Sequence, residues 1–429
     1  MTIARSAVNR LFSPVFILLA GNILYAGCQW LLMSSLVRGE SVSLLGSYSY
    51  SLSILAPAIA VGNLGLRSIL ARDFANEFDA TDFLKLRWFC FVAAVGSLIA
   101  VLAIFSDDSQ TLIVVSLVAF AKMAEGCSDI CYGAMQKLNR AAAQGVSLTL
   151  RCISAACFFL GFWHATETVT SGFFGIALAW LLVLVVFDMP NAGIRTRDLL
   201  TSVSGSDLKR YAGVARQSIA IVITALVGSV LVAVPNFFIE RILGLESLGY
   251  YASFFCFSVA MNLVGTSLGQ GALAGLSRLH AVDNTAGFYK KVITDVALLI
   301  VMAGVALVVT AVWGETILLF AFGAKVSGMH SVLPAVIALS IPMFVAQYLS
   351  YAVTAIAAYS SISWITITAF VVSVVLAFPL VTNFGITGAA AIVFVTGSIQ
   401  VCGFVRKLIA AGGAKNAAKF ADTKRLHGN

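Results

Sequence analysis

Runs of about twenty apolar residues, each closed by a short polar stretch, follow one another along almost the whole chain. They read off near 14–37, 43–65, 88–105, 111–133, 141–163, 171–189, 217–238, 248–270, 292–313, 331–355, 364–382 and 386–405. In hydrocarbon every backbone N–H and C=O must find its partner inside the segment, so spans of this length are helices. The ten-residue alternation of a barrel strand is missing. A soluble alternative fails on quantity: 60% of the 429 residues are apolar and 11% charged, whereas a single soluble core stops growing at about 250–300 residues. The expected fold is an all-α polytopic membrane protein with about 12 transmembrane helices.

Lysine and arginine orient the spans. With the N-terminus and every second loop after it on the cytoplasmic side, 22 of the 27 basic residues fall there. Arg38, Arg241 and Lys325 fall on the other side. Both termini are then cytoplasmic, and the net charge of +8 is a basic inner face against anionic lipid, with no role for nucleic acid. Trp88, Trp163, Trp313 and Trp364 stand at span ends, where an amphipathic ring prefers to sit. Arg5 and Arg10 precede the first run, and "YAGC" (25–28) is close to a lipoprotein cleavage box. Apolar residues continue through Val37, however, so an uncleaved first span is expected.

An internal echo divides the chain. "SLLGSYSYS" (43–51) and "ESLGYYASF" (246–254) each open a second span, matching Gly46 with Gly249 and Tyr48 with Tyr251 at an offset of 203. Transporters are often built from such repeats. The expected organisation is a six-helix bundle with its cytoplasmic linker (1–205), a second six-helix bundle (206–405) and a basic tail (406–429).

Charges inside the fourth span carry the functional signal. Lys122, Glu125, Asp129 and Tyr132 are spaced to share one stripe of a helix. An Asp or Lys at a span centre costs roughly 2.5–3.5 kcal/mol, so these groups should face the bundle interior or a wet cavity. Arg151 in the fifth span lies at the same depth as Glu125, roughly 13–15 Å at 1.5 Å per residue. An Arg151–Glu125 contact with Lys122–Asp129 beside it would leave a neutral quartet. Two readings stay open: an internal salt-bridge network, or a polar cavity for an anionic headgroup or coupling ion. Gln29 and Asn63 are further cavity candidates among polar residues that could equally make interhelical hydrogen bonds. Arg67 and Arg72 stand at the inner rim, as snorkelled anchors or as substrate contacts. Pro235 and Pro342 are expected to kink their spans.

Other chemistries find little support. The eight cysteines all fall inside spans, so no disulfide framework is expected. Cys127 and Cys131 are four apart with no histidine nearby, which reads as packing; no metal site and no cofactor are expected. No G-x-x-x-x-G-K-[ST] occurs, so the chain carries no nucleotide motor. The longest outer connection is "GETILLFAFGAKVSGMH" (314–330), too short for the outer domain of a polymerase or ligase. The protein is read as not an enzyme.

Three stretches carry a family resemblance: "LLGSYSYSLSILAPAIAVGNLGLRSILARD" (44–73), "AEGCSDICYGAMQKLNR" with "LTLRCIS" (148–154), and "ESLGYYASFFCFSVAMNLVGTSLGQGALAGLSRL" (246–279). The chain resembles the multidrug/oligosaccharidyl-lipid/polysaccharide exporter superfamily, and within it the O-antigen-type flippases. The resemblance implies a V-shaped pair of bundles in the bacterial inner membrane. The activity it implies is alternating-access transfer, ion-coupled, of an undecaprenyl-diphosphate-linked oligosaccharide, with membrane lipids and polysaccharide polymerase machinery as partners. It also implies a diphosphate or sugar site at Lys122, Arg151 and Arg67, with Glu125 and Asp129 handling the ion. The second half departs from that pattern: it has no deep basic residue, only Arg241 and Lys325 near the outer ends, with Asp295 near an inner end. A cation-coupled multidrug exporter is the alternative, and an integral polymerase or ligase comes after it.

Overall fold

The computed structural model describes residues 14–67, 70, 79–105, 109–138, 140–199 and 205–426, and these are helical with no strand among them. The chain forms α1 (Pro14–Gly39), α2 (Val42–Asn63), α3 (Ala80–Phe105), α4 (Ser109–Lys137), α5 (Ala141–Thr166) and α6 (Val169–Val183). Four further long helices follow: α7 (Gly205–Ala281), α8 (Thr285–Phe322), α9 (Val332–Ala355) and α10 (Tyr359–Leu426). Among the described residues nine helices are long and apolar enough to cross a membrane. Two of them fold back on themselves. α7 breaks at Gly244 (φ 83°) and α10 at Gly385 (φ 57°), left-handed conformations that glycine adopts without the steric cost of a Cβ. Counting each as two crossings and adding α1 recovers the twelve spans of the sequence.

This changes how the outer turns are built. The sequence suggests a loop over 239–247, but one glycine makes the reversal and helix continues on both sides. The 314–330 connection is also largely helical: α8 runs to Phe322, Gly323 redirects the chain, and Ala324–Ser327 adds another turn with Val326 buried. Pro235 and Pro342 sit within continuous helix, so the break in α7 belongs to Gly244. Outward-facing side chains such as Ile104, Val186, Phe320 and Trp364 are at least 70% exposed, an apolar surface suited to lipid.

The chain divides into two compact units, Met1–Glu40 with Ser47–Ser229, and Ser41–Gly46 with Val230–Asn429. In the first, α5 packs mainly on α1 and α6, and α4 on α3 and α6. Gly21 and Gly145 bring the α1 and α5 backbones together: a Cβ on Gly21 would overlap the Gly145 carbonyl, and one on Gly145 would overlap that of Ile17. A disulfide between Cys28 and Cys152, with Cα atoms 5.6 Å apart, joins the same two helices. That corrects the expectation of no disulfide; close crossing of two spans can align cysteines that sequence spacing leaves unrelated.

In the second unit the two echoed motifs meet. A Cβ on Gly46 would overlap the Leu245 carbonyl, and one on Gly249 the Val42 carbonyl. Val42 and Leu245 are themselves 203 residues apart, the offset of the glycines, so the contact is reciprocal. Farther along this unit, Asp295 is buried beside an apolar core of α8, α9 and α10. Its oxygens accept from Lys291 Nζ and the Tyr348 hydroxyl, each at 2.7 Å.

Candidate functional site in the first unit

The intramembrane charges of α4 are arranged in two layers. Lys122 Nζ bonds Glu125 Oε2 at 2.7 Å, one helical turn apart, and the Tyr25 hydroxyl of α1 donates to Glu125 Oε1 at 2.5 Å. One turn further, Arg67 Nη1 bonds Asp129 Oδ1 at 2.7 Å. These two pairs are open: the side chains are 23% and 29% exposed for Lys122 and Glu125, and 33% and 34% for Arg67 and Asp129. Gly133 makes room for Arg67, whose backbone oxygen would lie 3.2 Å from a Cβ there.

Behind them lie two sealed arginines. Arg87, on α3, is 1% exposed. Its Nη1 donates to Asn63 Oδ1 on α2 and to the Gly126 carbonyl on α4, and stands 3.8 Å from Asp129 Oδ2. Phe91, one turn along α3, fills the space left by Gly62 and Gly126, either of which would collide with its ring if it carried a Cβ. That wedge holds α2, α3 and α4 at the spacing Arg87 needs.

Arg151, on α5, is equally enclosed. Its Nη2 donates to Ser128 Oγ and to the Ala124 carbonyl at 3.2 Å, and lies 3.8 Å from Asp188 Oδ2. The guanidinium stands over Tyr132 and Trp180, at 5.9 and 5.6 Å from their ring centroids. Asp188 ends a π-turn, Leu184–Asp188, that interrupts the helix begun by α6. Such turns often mark functional or strained positions.

The expected quartet therefore needs correction. Arg151 meets Asp188 rather than Glu125, Glu125 takes Lys122 and Tyr25, and Asp129 takes Arg67 rather than Lys122. The cause is helix placement: α5 packs on α1 and α6, which carries its arginine beneath α4 instead of alongside it. Lys122, Glu125, Arg67 and Asp129 share the open wall, while Arg151 lies in the seam. Asn63 serves Arg87, and Gln29 Oε1 accepts from the Tyr48 hydroxyl at 3.4 Å. Arg72 lies outside the described residues.

Two participants escape a reading of the sequence. Arg87 precedes Trp88 and passes for a loop residue; Asp188 stands at a span end beside Met189 and Pro190 and passes for a rim acid. The available signal was charge demand, since a buried arginine calls for a carboxylate at equal depth. With them included, four cations (Arg67, Arg87, Lys122, Arg151) stand against three carboxylates (Glu125, Asp129, Asp188) in this cluster among the described residues. A small cleft opens beside Lys122, walled by Tyr48, Phe173 and Trp180.

No family model matches the chain. A curated relative, the capsular polysaccharide biosynthesis protein CapF of Staphylococcus aureus, is 24% identical over 314 residues, 71% of this chain and 75% of that protein. The lipid II flippase MurJ in an inward closed conformation superposes with a TM-score of 0.68 at 12% identity, over 93% of this chain and 90% of that one. An inward-facing multidrug resistance MATE family transporter of the MOP superfamily gives 0.67 at 13% identity, over 96% and 99%. The fold is that of the MOP-superfamily transporters. These MOP neighbours are named as transporters and flippases rather than enzymes, and the chain shares their multi-pass membrane architecture.

Proposed function

We propose that this protein is a flippase that moves an undecaprenyl-diphosphate-linked oligosaccharide, an O-antigen or capsule-type repeat unit, across the bacterial inner membrane by alternating access. Both termini would lie in the cytoplasm, and polysaccharide polymerase machinery would receive the product. The carrying observation is the surplus of one cation among the described residues of the polar wall in the first unit, with Lys122 and Arg67 on its open side. An anionic headgroup can exchange into each open pair: a phosphate oxygen takes the Lys122 ammonium from Glu125, or the Arg67 fork from Asp129. Glu125 and Asp129, released in turn, would then hold a proton or cation, which couples ion movement to the lipid. Arg87 and Arg151 sit too deep to touch a headgroup and act by holding α4 in place while contributing positive potential.

A cation-coupled multidrug exporter is the second reading, favoured by the two open carboxylates. The net positive charge of the wall weighs against a cationic cargo. Reconstitution separates the two. Proteoliposomes loaded with a labelled undecaprenyl-diphosphate oligosaccharide should expose the sugar to an impermeant probe, faster with an ion gradient. Vesicles that carry a cationic dye but leave the lipid in place would overturn the flippase reading.

A further inference from the structure

The seam between α1 and α5 carries chemistry that the polar wall does not use. Gly21 meets Gly145, and seven residues further along each helix Cys28 meets Cys152 in a disulfide. Seven residues are two helical turns, about 10.5 Å, so the cysteines prolong the contact that the glycines begin. The tie adjoins the polar wall from both helices. Tyr25, one turn before Cys28, donates to Glu125 Oε1 at 2.5 Å. Arg151, next to Cys152, stands over the Tyr132 and Trp180 rings.

Both redox forms of this pair are accommodated. Joined, the sulfurs satisfy each other. Separated, each thiol has a carbonyl acceptor across the seam: Cys28 Sγ stands 3.3 Å from the Cys152 oxygen, and Cys152 Sγ 3.6 Å from that of Leu24. Such S–H···O bonds are weak, but they leave neither thiol stranded in hydrocarbon. Position then selects the reagent. Cys28 lies 14 residues from Pro14 and 11 from Gly39, and Cys152 11 from Ala141 and 14 from Thr166. Both are therefore roughly 16–21 Å from either end of their helices. A charged thiol or disulfide from either aqueous side is costly to bring to that depth. Leu24 and Ile153, beside the pair, are 48% and 56% exposed, so the seam borders the lipid-facing surface. A lipid-soluble two-electron oxidant fits that place.

We infer that Cys28 and Cys152 are a redox-active pair within the bilayer that a lipid-soluble quinone closes, and that the closed pair clamps α1 to α5 and slows transport. Closure breaks two S–H bonds and forms one S–S bond, and the two electrons and two protons reduce the quinone to its hydroquinone. A neutral dithiol reopens the pair through a mixed disulfide and leaves as its own cyclic disulfide. The effect on transport rests on the flippase reading; the redox chemistry of the pair does not.

The test uses the full chain in proteoliposomes, reduced with dithiothreitol, freed of it, and then treated with or without ubiquinone-1, a fully substituted quinone. Differential alkylation and peptide mass spectrometry should show quinone converting the Cys28 and Cys152 thiols into one linked pair, while the exposed Cys157 and Cys402 stay free. Flipping of a labelled prenyl-diphosphate oligosaccharide should fall about tenfold on closure, since conformational steps limit many such turnovers, and dithiothreitol should restore it. Cys28→Ser and Cys152→Ser should each flip at the reduced wild-type rate with or without quinone. Free thiols at both positions after quinone, or a bond that dithiothreitol never opens, overturn the redox pair. A quinone response that persists in both serine variants belongs to other cysteines and overturns it as well. If the pair closes and flipping is unchanged, the clamp falls and the flippase reading stands. If the pair closes and reopens but no lipid is flipped in either state, the flippase reading falls, and the transport effect with it, while the redox pair stands.

Discussion

Arg151 and Asp188 face each other 3.8 Å apart in the interior of the first unit, one 1% and the other 0% exposed. Arg151 comes from α5 and Asp188 from the π-turn after α6, so the pair ties two helices beneath α4. Removing one member leaves a buried charge without its counterpart, a loss of about 3–5 kcal/mol. Arg151→Ala and Asp188→Ala should each lower the melting temperature in detergent and the yield of folded protein. The double substitution Arg151→Met with Asp188→Leu should recover much of that loss, since well-packed apolar residues can replace a buried pair. A melting temperature unchanged by Arg151→Ala would remove the structural role assigned here.

The open pairs should behave in the opposite way. Lys122 and Glu125 are 23% and 29% exposed, and their ion pair contributes little to stability where solvent screens it. Lys122→Gln should therefore insert and melt close to the wild type while its affinity for a prenyl diphosphate falls about tenfold or more, the worth of one charge-assisted hydrogen bond. Binding measured in nanodiscs, read beside a melting curve, separates the two effects. Unchanged affinity would take Lys122 out of the headgroup site.

How much of this was written in the sequence depends on the distance over which each feature acts. Span number and helical class follow from apolar runs, a property of contiguous residues, and the structure agrees once Gly244 and Gly385 are seen to turn the chain unaided. The stripe on α4 was legible for the same reason, being one helix face. Partners across helices were not. Whether Arg151 meets Glu125 or Asp188 depends on which neighbour α5 packs against, and that is decided by glycines such as Gly21 and Gly145 that permit close approach. Arg87 was obscured differently, because α3 starts at Ala80, eight residues before its apolar run, and buries an arginine in that polar-looking first part.

Gly126 holds the contact between Arg87 and α4. Its missing side chain admits the Phe91 ring, and its carbonyl accepts from Arg87 Nη1 at 2.8 Å. Gly126→Ala should push Phe91 aside and weaken that bond, with an overpacking cost of about 1–3 kcal/mol. Phe91→Leu in the same chain, by vacating part of the ring's space, should restore some of the loss. Melting of the two single variants and the double variant checks this, and strictly additive losses would argue against the wedge.

The reciprocal crossing in the second unit offers a sharper test of the repeat. Gly46 meets the Leu245 carbonyl and Gly249 meets that of Val42, so each glycine keeps the same two backbones together. An alanine at either position forces a helix to retreat, and one retreat relieves both contacts. Gly46→Ala and Gly249→Ala should accordingly cost similar amounts, about 1–3 kcal/mol each, and the double variant should cost clearly less than their sum. Coupling of that sign is what contacting sites show when they share one displacement. A double-mutant cycle on melting in lipid nanodiscs measures it. Simple additivity would mean that the two glycines answer to separate packing demands and that their matching positions in the two halves carry no shared mechanical role.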